Sequence, residues 1–142
     1  MFSDLGALSP LDGRYYSSAK ELNAYFSEAA LMQYRIYVEV EYLLALAKQK
    51  EIRKRLLIDD KEQSKLRKLY QSFDLNAAKE IKEIEKKINH DVKAIEYYIQ
   101  DKTRSSLHPW IHFALTSEDV NNISYSLMWK HALEKVYLPS VL

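Results

Sequence analysis

Three short polar segments interrupt a frame of apolar and charged helical patterning, and their residue types suit the binding of anions. The first is Ser9-Pro10-Leu11-Asp12-Gly13-Arg14-Tyr15-Tyr16. Pro-x-Asp-Gly is turn chemistry, Gly13 permits a positive φ, and the planar guanidinium of Arg14 offers donors matched to phosphate or carboxylate. The second is Asn89-His90-Asp91, three good capping residues in succession. They predict one helix ending near Ile88 and another starting at Asn89 or Asp91. The bare N–H groups of that second helix would draw an anion, with His90 as a titratable donor. The third is Thr116-Ser117-Glu118-Asp119, followed by Val120-Asn121-Asn122. Thr116 with Asp119 fits a capping box, so a helix begins here, and two adjacent hydroxyls beside its first N–H groups would cradle a carboxylate. Each segment alone also has a plainer reading: a surface turn whose arginine pairs with a neighbouring acid, a capped kink, and a helix cap.

The remaining candidates are weaker. His108 and His112 are four apart and would share a helix face, but no third metal ligand stands at motif spacing and Pro109 puts His108 at a helix start. Trp110, Ile111 and Phe113 around His112 predict a partly buried, hydrogen-bonded ring rather than a ligand. His131, beside Lys130 and near Glu134, reads as surface. Eleven tyrosines, among them Tyr34, Tyr37, Tyr42, Tyr97 and Tyr98, suit interfaces where a ring is buried and its hydroxyl finds a polar partner. The chain has no cysteine, which excludes a disulfide framework, a thiolate metal site and cysteine catalysis.

The elements that must position these segments are helices. Glycine and proline together number five, where average usage would supply roughly 17, and none lies between Tyr16 and His108. Met32, Ile36, Val40, Leu43 and Ala47 form the stripe of a helix from Ser27 to about Lys50. Leu66, Leu69, Tyr70 and Phe73 mark a second, capped by Asp59-Asp60. Ala77, Ile81, Ile84 and Ile88 mark a third, with Glu83 and Lys87 as an i,i+4 pair on its charged face. Val92, Ile95 and Ile99 continue beyond the second polar segment. Val120, Ile123, Leu127, Met128, Ala132 and Val136 run from Thr116 or Ser117 toward the C-terminus, where Tyr137, Leu138, Val141 and Leu142 present an apolar face without a helix stop. No internal repeat or low-complexity segment is visible. The prediction is an all-α fold.

In 142 residues, 21 Lys+Arg nearly balance 20 Asp+Glu, for a net charge of +1, and 47% of side chains are apolar. That describes a soluble globular unit large enough to hold a core, without the broad basic field of a nucleic-acid or acidic-membrane binder. The start, Met1-Phe2-Ser3-Asp4, lacks a basic and apolar leader, and no stretch reaches the ~18 apolar residues of a membrane span. The expected location is the cytoplasm, with no membrane and no nucleic acid as partner.

Taken together and in order, the segment from Leu8 to Tyr15, the run Asn89-His90-Asp91-Val92-Lys93-Ala94-Ile95-Glu96-Tyr97-Tyr98, and the run His112-Phe113-Ala114-Leu115-Thr116-Ser117-Glu118-Asp119-Val120-Asn121-Asn122 resemble the N-terminal part of the adenylosuccinate lyase family. The likeness covers nearly the whole chain. The wider fumarase/aspartase superfamily shares the helical layout and a related Thr-Ser-x-Asp turn, whereas the first two segments resemble this branch in particular.

The resemblance implies an enzyme of purine nucleotide biosynthesis that eliminates fumarate from adenylosuccinate, giving AMP, and from the succinyl-aminoimidazole carboxamide ribotide. It implies no metal or organic cofactor. Arg14 and Tyr15 match residues holding the nucleotide phosphate, Asn89, His90 and Asp91 match a substrate-contacting segment, and Thr116 and Ser117 match hydroxyls that bind the succinyl carboxylates. His112 matches a supporting histidine. The family's catalytic serine and general-acid histidine lie further along a longer chain, so no catalytic residue is expected before Leu142, and the chain alone is expected to be inactive. Residues 1–115 would be the N-terminal domain and 116–142 the start of the central helical bundle, through which the family forms homotetramers. Two other readings stay open: a helical protein-interaction module that retains the fold, and another superfamily lyase, such as one acting on argininosuccinate.

Overall fold

Ser27 opens the longest helix because its hydroxyl accepts the Ala30 N–H at 3.1 Å, satisfying one of the free donors of the first turn. The computed structural model describes residues 7–142; Gly6 and the Met1-Phe2-Ser3-Asp4 start lie outside them. The regular elements are α1 (Tyr16–Ala19), α2 (Asn23–Phe26), α3 (Glu28–Leu46), α4 (Asp60–Gln71), α5 (Leu75–Ile88), α6 (Asp91–Asp101), α7 (Ser117–Ala132) and α8 (Leu138–Val141). Single 3₁₀ segments precede α2, at Lys20–Leu22, and follow α6, at Ser105–Trp110, and a π-helical turn, Leu133–Tyr137, joins α7 to α8. All regular structure among the described residues is helical, as the patterning predicts.

Local chemistry sets the boundaries. Asp59 caps α4 through the Glu62 N–H, and Asp74, not singled out from the sequence, caps α5 through Asn76 and Ala77. Asn89 ends α5 in the left-handed region at φ 54°, a conformation asparagine tolerates. α3 stops at Leu46, four residues before the predicted end. The residues that follow, Lys48 to Glu51, include none that the core can bury, so the chain turns through short bonds such as Arg53 N–H to Gln49 C=O instead. The predicted Glu83 and Lys87 pair is replaced by Glu83 with Lys86, while Lys82 lies between Glu28 and Glu85. Pro139, unable to donate to the carbonyl four residues back, accounts for the widened turn just before it.

The core is built around α3. Ile36, Val40, Leu43 and Leu44 pack with Leu66 of α4, Ile81 of α5 and Ile95 and Ile99 of α6. Its other side, through Val38, meets Val92 of α6 and Val120 of α7. A helix apolar on both sides and flanked by neighbours has no solvent face in its middle, which fixes the surroundings of any charged residue there.

Candidate functional site

Two such residues exist. Arg35 and Glu39 stand one turn apart on α3 with 5% and 1% exposure. Buried charges persist only when paired, so their partners reveal what this face holds. Arg35 donates from Nη2 to Asp91 at 2.7 Å and from Nε to the Asn121 side-chain oxygen at 3.0 Å, tying the start of α6 to the early part of α7. Oε2 of Glu39 accepts the His112 backbone N–H at 3.2 Å, and its Oε1 lies 2.5 Å from His112 Nδ1. On the ring's other side, Nε2 stands 3.9 Å from Oε1 of Glu96, whose Oε2 accepts from Lys93 Nζ at 2.7 Å.

The backbone beside this layer is strained. His112 and Ala114 adopt φ values of 61° and 58°, positions that cost roughly 1–3 kcal/mol each in a residue with a Cβ. The conformation is held from α3, by Glu39 on the His112 N–H and by the Tyr42 hydroxyl, which donates to the Phe113 C=O at 2.9 Å. Such strain gathers where a segment must be presented in one geometry, and this one leads directly into α7.

Electrostatics follow the burial. Burial pushes the Glu39 carboxyl above its ordinary range, only partly offset by its bond to His112. Burial also acts upward on Asp91, but the Val92 N–H and the charge and bond of Arg35 outweigh it and hold that carboxyl low. Asp119 is held low by the Thr116 N–H and hydroxyl.

The sequence-predicted residues take up distinct roles. His90 caps α6, with its Nδ1 accepting the Lys93 N–H at 3.2 Å. That nitrogen is an acceptor rather than the expected donor, and the new helix starts at Asp91. Asn89 is the exposed left-handed end of α5, and the Asp91 carboxylate is engaged by Arg35. Thr116 closes a full capping box, in which its N–H and hydroxyl donate to Asp119 at 2.7 and 2.8 Å. Its hydroxyl is therefore occupied by the chain's own carboxylate, while half-buried Ser117 makes no side-chain hydrogen bond among the described residues. Arg14 lies 4.7 Å over the Tyr15 ring. Among the described residues no ion pair joins Arg14 to an acid, and no hydrogen bond ties Arg14 or Tyr15 to the other two segments.

Two histidine expectations are corrected. His108 lies in the 3₁₀ segment, near the Thr103 carbonyl, while His112 lies outside any helix, so the two share no helix face. The break at Pro109 and the left-handed turn at His112 are the reason. His131 is half-buried rather than free on the surface, with its Nδ1 2.8 Å from the Tyr34 hydroxyl. The tyrosines meet the expectation in part: the hydroxyls of Tyr34 and Tyr42 find polar partners, whereas Tyr97 is exposed. Tyr37 stacks edge-on against Tyr70, whose hydroxyl donates to Glu41 and whose ionisation is pushed up to about 12, chiefly by burial. Arg35, Glu39 and Glu96 escaped the sequence reading, although opposite charges four apart inside a stretch as apolar as Ala30 to Leu46 are a usable signal.

Comparison with known proteins finds relatives of the chain. A family model described as lyase matches residues 13–141. The adenylosuccinate lyase of Legionella pneumophila strain Philadelphia 1 is 44% identical over 96% of this chain, that of Escherichia coli K12 42% over 96%, and that of Dictyostelium discoideum 40% over 98%. The chain spans about 31% of the length of each of these relatives.

Proposed function

The chain belongs to the lyase family, and on that premise we propose that it is the N-terminal part of an adenylosuccinate lyase, eliminating fumarate from adenylosuccinate to give AMP and from the succinyl-aminoimidazole carboxamide ribotide. The observation that carries this reading is the identity of 40–44% to adenylosuccinate lyases across nearly all of the chain. The geometry supports it. The substrate is a multiple anion, and the starts of α6 and α7, each the partial positive end of a helix, are tied together through Arg35.

In this reading Arg14 and Tyr15 bind the nucleotide phosphate, Asn89, His90 and Asp91 line the substrate, and Ser117 offers its hydroxyl to a succinyl carboxylate with Thr116 fixing the helix start beside it. His112 supports the site, and no cofactor takes part. The general acid and base belong to the part of the relatives' length that this chain does not span. Residues 1–115 form an N-terminal domain and 116–142 begin a central bundle through which the full-length enzyme is a homotetramer. It works in the cytoplasm, in purine nucleotide biosynthesis.

The test is fumarate release by the full-length protein, offered adenylosuccinate and argininosuccinate in parallel. Release from adenylosuccinate alone is expected; release from argininosuccinate alone would assign a different lyase. The 142-residue chain by itself is expected to release none.

A further inference from the structure

Glu39 has one feature that pairing alone does not require. Its two oxygens address two different groups of a single residue, the backbone N–H of His112 and the Nδ1 of the same ring. We infer that Glu39 is a positioning residue for this site, holding His112 as the tautomer protonated on Nδ1 so that Nε2 is left as an acceptor. The inference deepens the function proposed above and rests on it for the meaning of His112.

The bonding leaves little freedom. The His112 N–H is an obligatory donor, so Oε2 must accept. At 2.5 Å a proton must lie between Oε1 and Nδ1. With the carboxylate ionised, that proton is on the ring nitrogen, and a neutral imidazole then has none on Nε2. The other charged groups facing the ring are Glu96 and Lys93 of α6 and Asp119 of α7. Lys93 offsets Glu96 through its 2.7 Å bond, and Asp119 is engaged by Thr116. The clamp extends along the chain, because Tyr42, three residues after Glu39 on α3, fixes the next carbonyl at Phe113. Ring tautomer and left-handed backbone are thus set together by one face of α3, four residues ahead of Thr116.

The substitution Glu39→Gln makes an unusual prediction. A glutamine has one acceptor oxygen, and the His112 N–H claims it. The amide NH₂ then faces Nδ1 and must donate to it, so the proton moves to Nε2. Shape is kept and the tautomer is inverted. In full-length protein labelled with 15N-histidine, His112, identified by loss of its signals in His112→Asn, is expected to show Nδ1–H at mildly alkaline pH. In Glu39→Gln it should show Nε2–H, with kcat on adenylosuccinate down ~10–100-fold, as for loss of other groups that orient a functional histidine, and KM changed far less. A proton on Nε2 in the unsubstituted protein overturns the inference, and if Glu39→Gln does not fold that measurement alone decides it. An unchanged tautomer or unchanged kcat in a folded Glu39→Gln also overturns it. The NMR result is independent of turnover: if His112 carries Nδ1–H but the protein releases no fumarate, the proposed function fails while the positioning role of Glu39 stands.

Discussion

Arg14 has no partner acid among the described residues, only the face of Tyr15 beneath it. A guanidinium held over a ring keeps its in-plane donors free, which suits it to grip a phosphate end-on. On the proposed function, Arg14→Ala in the full-length protein should therefore raise KM by an amount equivalent to ~1.5–3 kcal/mol with little change in melting temperature. An unchanged KM in steady-state kinetics would reduce Arg14 to a turn residue. Arg35 is the opposite case, a buried arginine whose charge is spent inside the protein. Arg35→Lys keeps a charge near Asp91 but cannot reproduce the fork that also reaches Asn121. Denaturant unfolding should register a loss of about 1–3 kcal/mol, and equal stability would mean that the tie between α6 and α7 is redundant. Arg14 was readable because it sits in a turn of distinctive composition. Arg35 and Glu39 were not, because a stripe analysis reads apolar residues and treats charges between them as solvated. Only tertiary packing removed that solvent, by bringing both α6 and α7 against this part of α3.

At the scale of the element, the start of α7 separates the capping residue from the one proposed to bind substrate. Thr116 closes the capping box and Ser117 is the first helical residue. Thr116→Ala should cost ~0.5–2 kcal/mol of stability, whereas Ser117→Ala should leave the unfolding midpoint unchanged and lower activity. If Ser117→Ala retained full activity, its hydroxyl would have no substrate to bind. The caps also make the fold acid-sensitive. The carboxyls of Asp74 and Asp119 are lowered from the ordinary 3.8, by the Ala77 N–H and by the Thr116 N–H respectively. A carboxyl depressed in the folded state contributes stability fully above its unfolded value and loses it as pH falls from about there through the folded one. Stability should thus decline below roughly pH 4, and Asp74→Asn, which keeps a capping oxygen but cannot titrate, should flatten part of that decline in acid unfolding curves. Helix starts at Asp59, Thr116 and Ser27 were legible from composition because the capping side chain is itself the cause. The end of α3 and the left-handed turn at His112 were not: the first depends on where the core stops, the second on Glu39, 73 residues from His112, and on Tyr42, 71 residues from Phe113.

At the scale of the whole molecule, the face left over is as informative as the one buried. Ile123, Leu133, Tyr137, Leu138 and Val141 are exposed along α7, the π-helical turn and α8, and Tyr137 has 57% of its surface open. A row of this kind goes beyond the scattered apolar residues usual at a surface and suits contact with a further element. Part of this row is legible in the sequence, since Tyr137, Leu138 and Val141 fall on one apolar helical face. What covers them is a question of assembly, and the proposed homotetramer answers it with helices of the same full-length protein. Placing two carboxylates in that row, as Leu133→Glu with Tyr137→Glu, should break the assembly, because a desolvated unpaired charge at a helix contact costs more than the apolar contact contributes. Light scattering on the full-length variant should then report a mass below the tetramer, and activity should fall with it if each site draws on several subunits. A variant that keeps tetrameric mass and full turnover would place the assembly interface elsewhere and leave this face to a different partner.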